Sequence, residues 1–453
     1  MRKIEEAPNW QETLFDKGVK LFLNPDFKEL IHSINEKYYY WDKVKYQKLP
    51  EGATHEELWT GLKFSRSMDA KTVSFGRYTF TYNKTNFIES SLHHFDLNMG
   101  GNLGSKGLVP EDDKKRYLVS SVMEEAIASS QIEGAVTTRK EAKEMLRKRR
   151  KPRTKSEQMI INNYNTINHI LENQSEKLTI ERLLEVHRLI ANQTMDDDGD
   201  EGKFRETDDV NVVDAIDGEI VHSPPSHQEI PQLMNELCAF FNEDNTSKFI
   251  HPIIKGCIIH FMIGFIHPFT DGNGRTARAL FYWYLLSKGY WLTEYLSISR
   301  LIIRSKAQYA RAYVYSEIDD NDLTYFINYK LKTMTLAYES LKEYINRKIS
   351  EKKQLTEFQK IEGINERQAL IIKWAYEEPD LLLTIKEVET RFNISNETAR
   401  SDLRGLAEHG YLDEILLHGR KKAYSKGGKF EELIRKDSKE YKTVLKMLRT
   451  FVS

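Results

Sequence analysis

Apolar positions repeat at helical spacing along most of the chain, and short runs of period-two alternation interrupt them. One run, Thr72-Val73-Ser74-Phe75-Gly76-Arg77-Tyr78-Thr79-Phe80-Thr81-Tyr82, is rich in aromatic and β-branched residues. It predicts a half-buried hairpin within an otherwise polar, helix-patterned region. A helix is predicted from near Lys115, with Leu118, Val122 and Ile127 as its stripe and Gly134 as its stop. After Pro152, helical spacing resumes through Ile160, Ile161, Tyr164, Ile167 and Ile170. Asp209-Val210-Asn211-Val212-Val213 and Glu219-Ile220-Val221-His222 flank Asp217-Gly218, a hairpin signature that Pro224-Pro225 closes. Helical patterns return at 230–242, at 252–266 and from Arg275 to about Ser287.

Residues 364–426 read as a winged helix. Leu370, Ile371 and Trp374 mark a first helix over Glu366–Glu377, and Ile385, Val388 and Phe392 a second. Asn393-Ile394-Ser395 turns the chain, Ser395 or Asn396 caps a third helix bearing Ala399, Leu403 and Leu406, and a wing surrounds His418-Gly419-Arg420. The segment resembles bacterial winged-helix regulators, whose third helix reads the major groove. Its charge argues against that use. Lys386–Lys429 carries nine Lys or Arg against seven Asp or Glu, and stable DNA binding normally needs several phosphate contacts. Protein docking or dimerisation is the favoured role, and DNA binding is the alternative.

At 453 residues the chain is too long for one ordinary core, so two or three domains are expected. Lys plus Arg number 67 and Asp plus Glu 68, which gives no whole-molecule attraction to nucleic acid or an anionic membrane. Cys238 and Cys257 stand in apolar surroundings and read as buried free thiols. The most apolar stretch, 257–266, is too short to span a bilayer, and no signal-peptide pattern follows Met1, so a cytoplasmic protein is expected. Basic residues crowd 139–155, where Arg147-Lys148-Arg149-Arg150-Lys151 reads first as a solvated helix end and second as a docking patch. Asp196-Asp197-Asp198-Gly199-Asp200-Glu201 fails the EF-hand template and reads as a solvated acidic loop.

The chemistry concentrates in His267-Pro268-Phe269-Thr270-Asp271-Gly272-Asn273-Gly274-Arg275-Thr276-Ala277-Arg278. Pro268, Gly272 and Gly274 break helix, so this is a tight loop entering a helix. Gly272 and Gly274 free backbone N–H groups to face an anion, and the helix N-terminus adds its dipole. Arg275 and Arg278 contribute two permanent charges with forked donors, suited to polyphosphate. Asp271 suits a magnesium ion bridging phosphates. His267 accepts a proton near neutral pH. Base, metal carboxylate, anion nest and arginines together describe phosphoryl or nucleotidyl transfer.

This string resembles the Fic family signature, His-x-Phe-x-(Asp or Glu)-Gly-Asn-Gly-Arg-x-x-Arg, at every specified position. The resemblance spans roughly residues 155–330. It implies AMP transfer from ATP, with magnesium or manganese, to a Ser, Thr or Tyr hydroxyl of a target protein, pyrophosphate leaving. By the same resemblance His267 is the general base, Phe269 anchors the loop and Asp271 holds the metal. Gly272, Asn273, Gly274, Arg275, Thr276, Ala277 and Arg278 form the phosphate-binding run, Arg278 reaching the terminal phosphate. Gly202-Lys203-Phe204-Arg205 and the hairpin after it resemble the family's flap, with Val210, Asn211, Val212 and Val213 as the edge that pairs with an extended target. Tyr309 takes the place of an adenine-contacting tyrosine, with a core role as the equal alternative.

Ser129-Ser130-Gln131-Ile132-Glu133-Gly134 is similar to the family's inhibitory motif, (Ser or Thr)-x-x-x-Glu-(Gly or Asn), through Ser129, Glu133 and Gly134. Ser129 and Glu133 stand one helical turn apart and share a face; the resemblance implies that Glu133 pairs with Arg278 and takes the charge meant for the terminal phosphate. The expected architecture is mainly α: a Fic-type helical core with a β-hairpin flap, plus a winged-helix α+β module. Its expected segments are 1–112, an inhibitory helix 113–138, a catalytic core 139–345, a winged helix 360–430 and a helical tail 431–453. The target stays unnamed, self-modification and a homodimer stay open, and no membrane partner is expected. The competing functions are a Fic-type phosphotransferase or de-AMPylase, and a transcription regulator whose core senses nucleotide.

Overall fold

The computed structural model describes residues 4–11, 15–49, 51–100, 114–213, 218, 220–244, 248–359, 361–378, 381–416 and 422–437. The chain divides into two units, Met1–Lys342 and Glu343–Ser453, and helices dominate both.

In the first unit, helices Phe15–Leu23, Lys28–Lys37, Trp41–Val44 and His55–Asp69 close around Trp59, Tyr40, Leu58 and Leu62. Thr54 starts the fourth of these with a capping box to Glu57. The expected hairpin is present: Lys71–Phe75 pairs antiparallel with Tyr78–Tyr82, and Gly76 makes the turn at φ 53°. Polar anchors bind this region to later chain. Tyr38 donates to Asp322 at 2.5 Å, Lys63 meets Asp319 at 2.8 Å, and Thr81 exchanges backbone hydrogen bonds with Asn321 and Leu323.

Helix Pro252–Ile266 is buried on nearly every face because its sequence is apolar all round. Helix Asn273–Ser287 packs along it, and helices Lys114–Ile132, Lys155–Glu172, Ile180–Ala191 and Ile230–Asn242 surround the pair. Thr154 and Thr179 cap two of these, each hydroxyl accepting from the backbone N–H three residues on. Cys238 and Cys257 are buried free thiols, and burial pushes both up to about 12.

Two sequence expectations need correction here. The second hairpin is shorter than its alternating pattern, because only Val212–Val213 and Ile220–His222 pair, with a register shift between Val212 and Val213. Val210 and Asn211 precede the paired strand, and Asp217 and Glu219 of the expected turn lie outside the described residues. The helix expected from Arg275 begins at Asn273, since Gly272 at φ 84° completes the turn two residues early.

The second unit runs helix Glu366–Glu377, strand Leu383–Thr384, helices Ile385–Phe392 and Asn396–Glu408, then strands Leu412–Leu416 and Lys422–Lys426. The last strand lies between the other two and pairs antiparallel with both. The three helices expected in 364–426 are present in order, and strand Leu383–Thr384 between the first two is an addition to that expectation. Asn365, Thr384 and Ser395 cap the three helices, and Ile371, Ile372, Val388, Leu403, Leu406 and Tyr424 fill the core. Asp402 of the third helix is buried and pairs with Arg367 at 2.6 Å. His418, Gly419, Arg420 and most of the expected tail lie outside the described residues.

Candidate active site

His267 ends helix Pro252–Ile266 in the left-handed region, φ 49° and ψ 58°, a conformation that costs an ordinary residue about 1–2 kcal/mol. Its neighbours hold it there. Arg205 donates from Nε to the His267 carbonyl at 3.0 Å, and its backbone N–H donates to the Pro268 carbonyl at 2.9 Å. The rest of the same buried guanidinium binds Thr207, Asp208 and Pro225 at the base of the hairpin. The His267 ring donates from Nδ1 to the Gly264 carbonyl at 3.2 Å, which leaves Nε2 of the neutral ring as an acceptor. Burial lowers this imidazole below its ordinary range, so the neutral form prevails at pH 7.

The loop is then shaped by two side chains. Asn273 accepts from the Phe269 N–H at 3.0 Å and donates to the Phe269 carbonyl at 2.7 Å, so its amide is spent on loop closure. Of the expected phosphate contacts at this position, the backbone N–H is the one that these two bonds do not involve. Phe269 is fully buried, as expected of an anchor, and its ring stacks on His187 at 3.7 Å and 3°. His187 accepts from the Gly202 N–H at Nδ1 and donates from Nε2 to the Asp271 carbonyl at 2.9 Å. Burial drops this ring to about 4.

Asp271 projects outward with its side chain 55% exposed, and its Oδ2 lies 3.3 Å from Arg275 Nη2. Arg275 is buried, donates from Nη1 to the Ile190 carbonyl at 3.0 Å, and leaves Nε without a partner. Arg278 is also buried. It donates to the Ser129 hydroxyl at 2.8 Å, to the Ser129 carbonyl at 3.0 Å and to Glu133 Oε1 at 2.9 Å, while Nη1 has no partner. The Glu133 carboxylate occupies the hollow over Gly274, where any Cβ would overlap Oε1. A carboxylate therefore already lies against Gly274 in the first turn of the helix.

Helix Lys114–Ile132 ends just before Glu133, whose N–H donates to the Ser130 carbonyl, and Gly134 leaves the helix at φ 93°. Ser129 and Glu133 thus share a face across a tightened last turn. Lys306 donates to the carbonyls of Gln131 and Ile132 at 3.2 and 3.1 Å, closing this helix end. Glu125, two turns before Glu133, is buried and accepts from the backbone N–H and hydroxyl of Ser299.

The remaining expected residues divide. Thr276 and Ala277 are buried in the helix, and Thr276 Oγ1 has no partner. Tyr309 meets His260 Nε2 at 2.8 Å and packs on Tyr313, Phe326 and Tyr329. Val213 is 53% exposed. Arg205, His187, Lys306 and His222 were not assigned site roles from sequence. Each works through backbone carbonyls or ring packing, for which no local motif exists.

Residues 177–285 match the family described as Fic/DOC family. The chain is 35% identical over 127 residues to the protein adenylyltransferase Fic of Nematostella vectensis, covering 27% of this chain and 26% of that one. It is 33% identical over 124 residues to the same-named protein of Culex quinquefasciatus, covering 27% and 23%. The match thus spans about a quarter of these relatives' length. Among solved structures, a Fic family protein from Desulfovibrio desulfuricans G20 aligns over 77% of this chain and 98% of its own at 20% identity and a TM-score of 0.49.

Proposed function

Since the chain carries a Fic/DOC-family domain, we propose that it is an adenylyltransferase that moves AMP from ATP to a protein hydroxyl and restrains itself through Glu133. The observation that carries this reading is the Arg278 guanidinium, buried with a free Nη1 donor and met by the Glu133 carboxylate lying against Gly274. A buried charge with an unused donor is costly unless a further anion completes it. A terminal phosphate is such an anion, and Glu133 takes its place when nucleotide is absent or wrongly seated.

His267 supplies the proton acceptor. Its Nε2 takes the proton from the attacking hydroxyl as the new oxygen–phosphorus bond forms at the α-phosphate. The bond to the β-phosphate oxygen breaks, and pyrophosphate departs. The backbone N–H groups of Gly272 to Gly274 and the donors of Arg275 and Arg278 neutralise the phosphates. Val210 to Val213 and the strand after them offer an edge to an extended target segment, whose hydroxyl is thereby presented to His267.

Magnesium or manganese suits Asp271. Its carboxylate is half exposed on the rim of the nest, and no cluster of three or more His, Cys, Asp or Glu gathers among the described residues. Such a site draws its other ligands from phosphates and water, as magnesium commonly does with nucleotides. The ion supplies charge neutralisation on the phosphates when bound.

The test is mass spectrometry of the intact protein and its peptides after incubation with ATP and magnesium, using wild type and Glu133→Gly. An added AMP supports the reading. An added phosphate points instead to phosphotransfer. For the second unit we infer a docking role for protein rather than DNA, because Lys386–Lys429 carries only two more basic than acidic residues and stable DNA binding needs several phosphate contacts.

A further inference from the structure

We propose that His222, paired with Glu317, is a positioning residue for His267, clamping the hairpin to the backbone that carries the base and holding a positive charge beside it. The proposal rests on His267 being the base, as above, and adds a second histidine that no signature residue marks.

His222 is the last residue of strand Ile220–His222. Its Nε2 lies 2.7 Å from the Phe265 carbonyl, and its Nδ1 lies 2.7 Å from Glu317 Oε2. A carbonyl and a carboxylate only accept, so both ring nitrogens carry protons and the ring is an imidazolium. Phe265 stands two residues before His267, in the last turn of helix Pro252–Ile266, where carbonyls lack helical partners. A cation there also complements the helix dipole. Arg205 takes the next carbonyls, those of His267 and Pro268. Two residues that bracket the hairpin therefore hold three carbonyls around the base.

The side chains of His222 and Glu317 are 10% and 17% exposed, so the pair is shielded from bulk water. Burial opposes charge on His222, and the Glu317 carboxylate outweighs it, so this group titrates above its ordinary value. The charged and titratable groups facing the two histidines are Glu317 on helix Lys306–Ile318, Arg205 at the hairpin base and Glu133 beyond His267. Tyr78 adds a ring against Phe265. Of these, His222 and Arg205 disfavour a proton on His267, and Glu133 favours one.

The experiment uses full-length protein with selectively labelled histidine, comparing wild type, His222→Phe and Glu317→Gln. Two readouts are taken: histidine titration by NMR, and the steady-state rate of AMP incorporation against pH and ATP. In His222→Phe the His267 titration moves upward by on the order of 1 pH unit, because a neighbouring cation is gone. Its kcat falls by roughly 10- to 100-fold through lost alignment, with KM for ATP changed by less than about twofold. Glu317→Gln keeps the shape of the clamp and lowers the His222 titration, which serves if His222→Phe folds poorly. An unchanged His267 titration and kcat in folded His222→Phe overturns the clamp, as does an unchanged His222 titration in Glu317→Gln. Wild type and Glu133→Gly that incorporate no AMP, together with a shifted His267 titration in His222→Phe, overturn the transfer reading and leave the clamp standing.

Discussion

Arg278 spends two guanidinium nitrogens on Ser129 and Glu133 and keeps Nη1 buried without a partner. Removing Glu133 therefore exposes a charge designed to be met. Glu133→Gly is expected to raise AMP incorporation strongly, since a misplacement of about 1 Å at the α-phosphate costs on the order of 100-fold. The gain should vanish in Glu133→Gly with Arg278→Ala, and an unaltered rate in folded Glu133→Gly removes the inhibitory role. Asp271→Ala is expected to weaken magnesium-dependent ATP binding, and Asp271→Glu to do so less; equal calorimetric affinity in Asp271→Ala and wild type rules out the metal assignment. That Ser129 and Glu133 share a face was readable from their spacing, whereas their partner Arg278 was expected only from the motif's resemblance. The bonds from the Asn273 side chain to the Phe269 backbone were not legible, because that partner exists only once the loop has closed.

The catalytic loop is held by its attachment to helix Ile180–Ala191 and to the chain after it. His187 carries that attachment, joining Gly202, Asp271 and Phe269 through one neutral ring. The unfolded ring protonates near 6.5 and the folded one at about 4, because burial excludes the charge. The unfolded state thus binds more protons between these values, so stability falls as pH drops through this window, by about 3 kcal/mol in full. His187→Phe keeps a ring against Phe269 and is expected to be less stable at pH 7 yet flatter in its pH dependence. Urea unfolding at pH 7 and at pH 4.5 measures this, and parallel losses in the two proteins would falsify the assignment. Element positions followed the sequence closely where apolar spacing was long, as in 252–266 and 366–377. The hairpin after Asp209 fell short because alternation marks propensity, whereas pairing needs a partner strand in register.

Every residue of the candidate site lies within Met1–Lys342, one of the two units into which the chain divides. A chain ending near Lys352 is accordingly expected to retain AMP incorporation on itself or a generic acceptor. Loss of all activity in a soluble, folded truncation would show that later residues complete the site. The second unit's helix order was legible because caps and turns punctuate each helix: Asn365, Thr384 and Ser395 all accept as expected of N-caps. The joining of the first hundred residues to the chain near Asp319–Thr324 was not legible. It depends on buried pairs such as Lys63 with Asp319, whose partners are 256 residues apart.

Glu133 stands one residue beyond the end of its helix, tied locally by the Glu133–Ser130, Gly134–Gln131 and Ala135–Ser130 backbone bonds. Opening that last turn is a local event that costs less than global unfolding, although it also separates Glu133 from the buried Arg278. On the inhibitory reading, the resting enzyme is then a mixture, and its basal output is the unrestrained rate multiplied by the small frayed fraction. On the same reading Lys306, whose ammonium meets the final carbonyls, opposes the opening. On that reading the brake is graded, and the stability of a single helical turn tunes it.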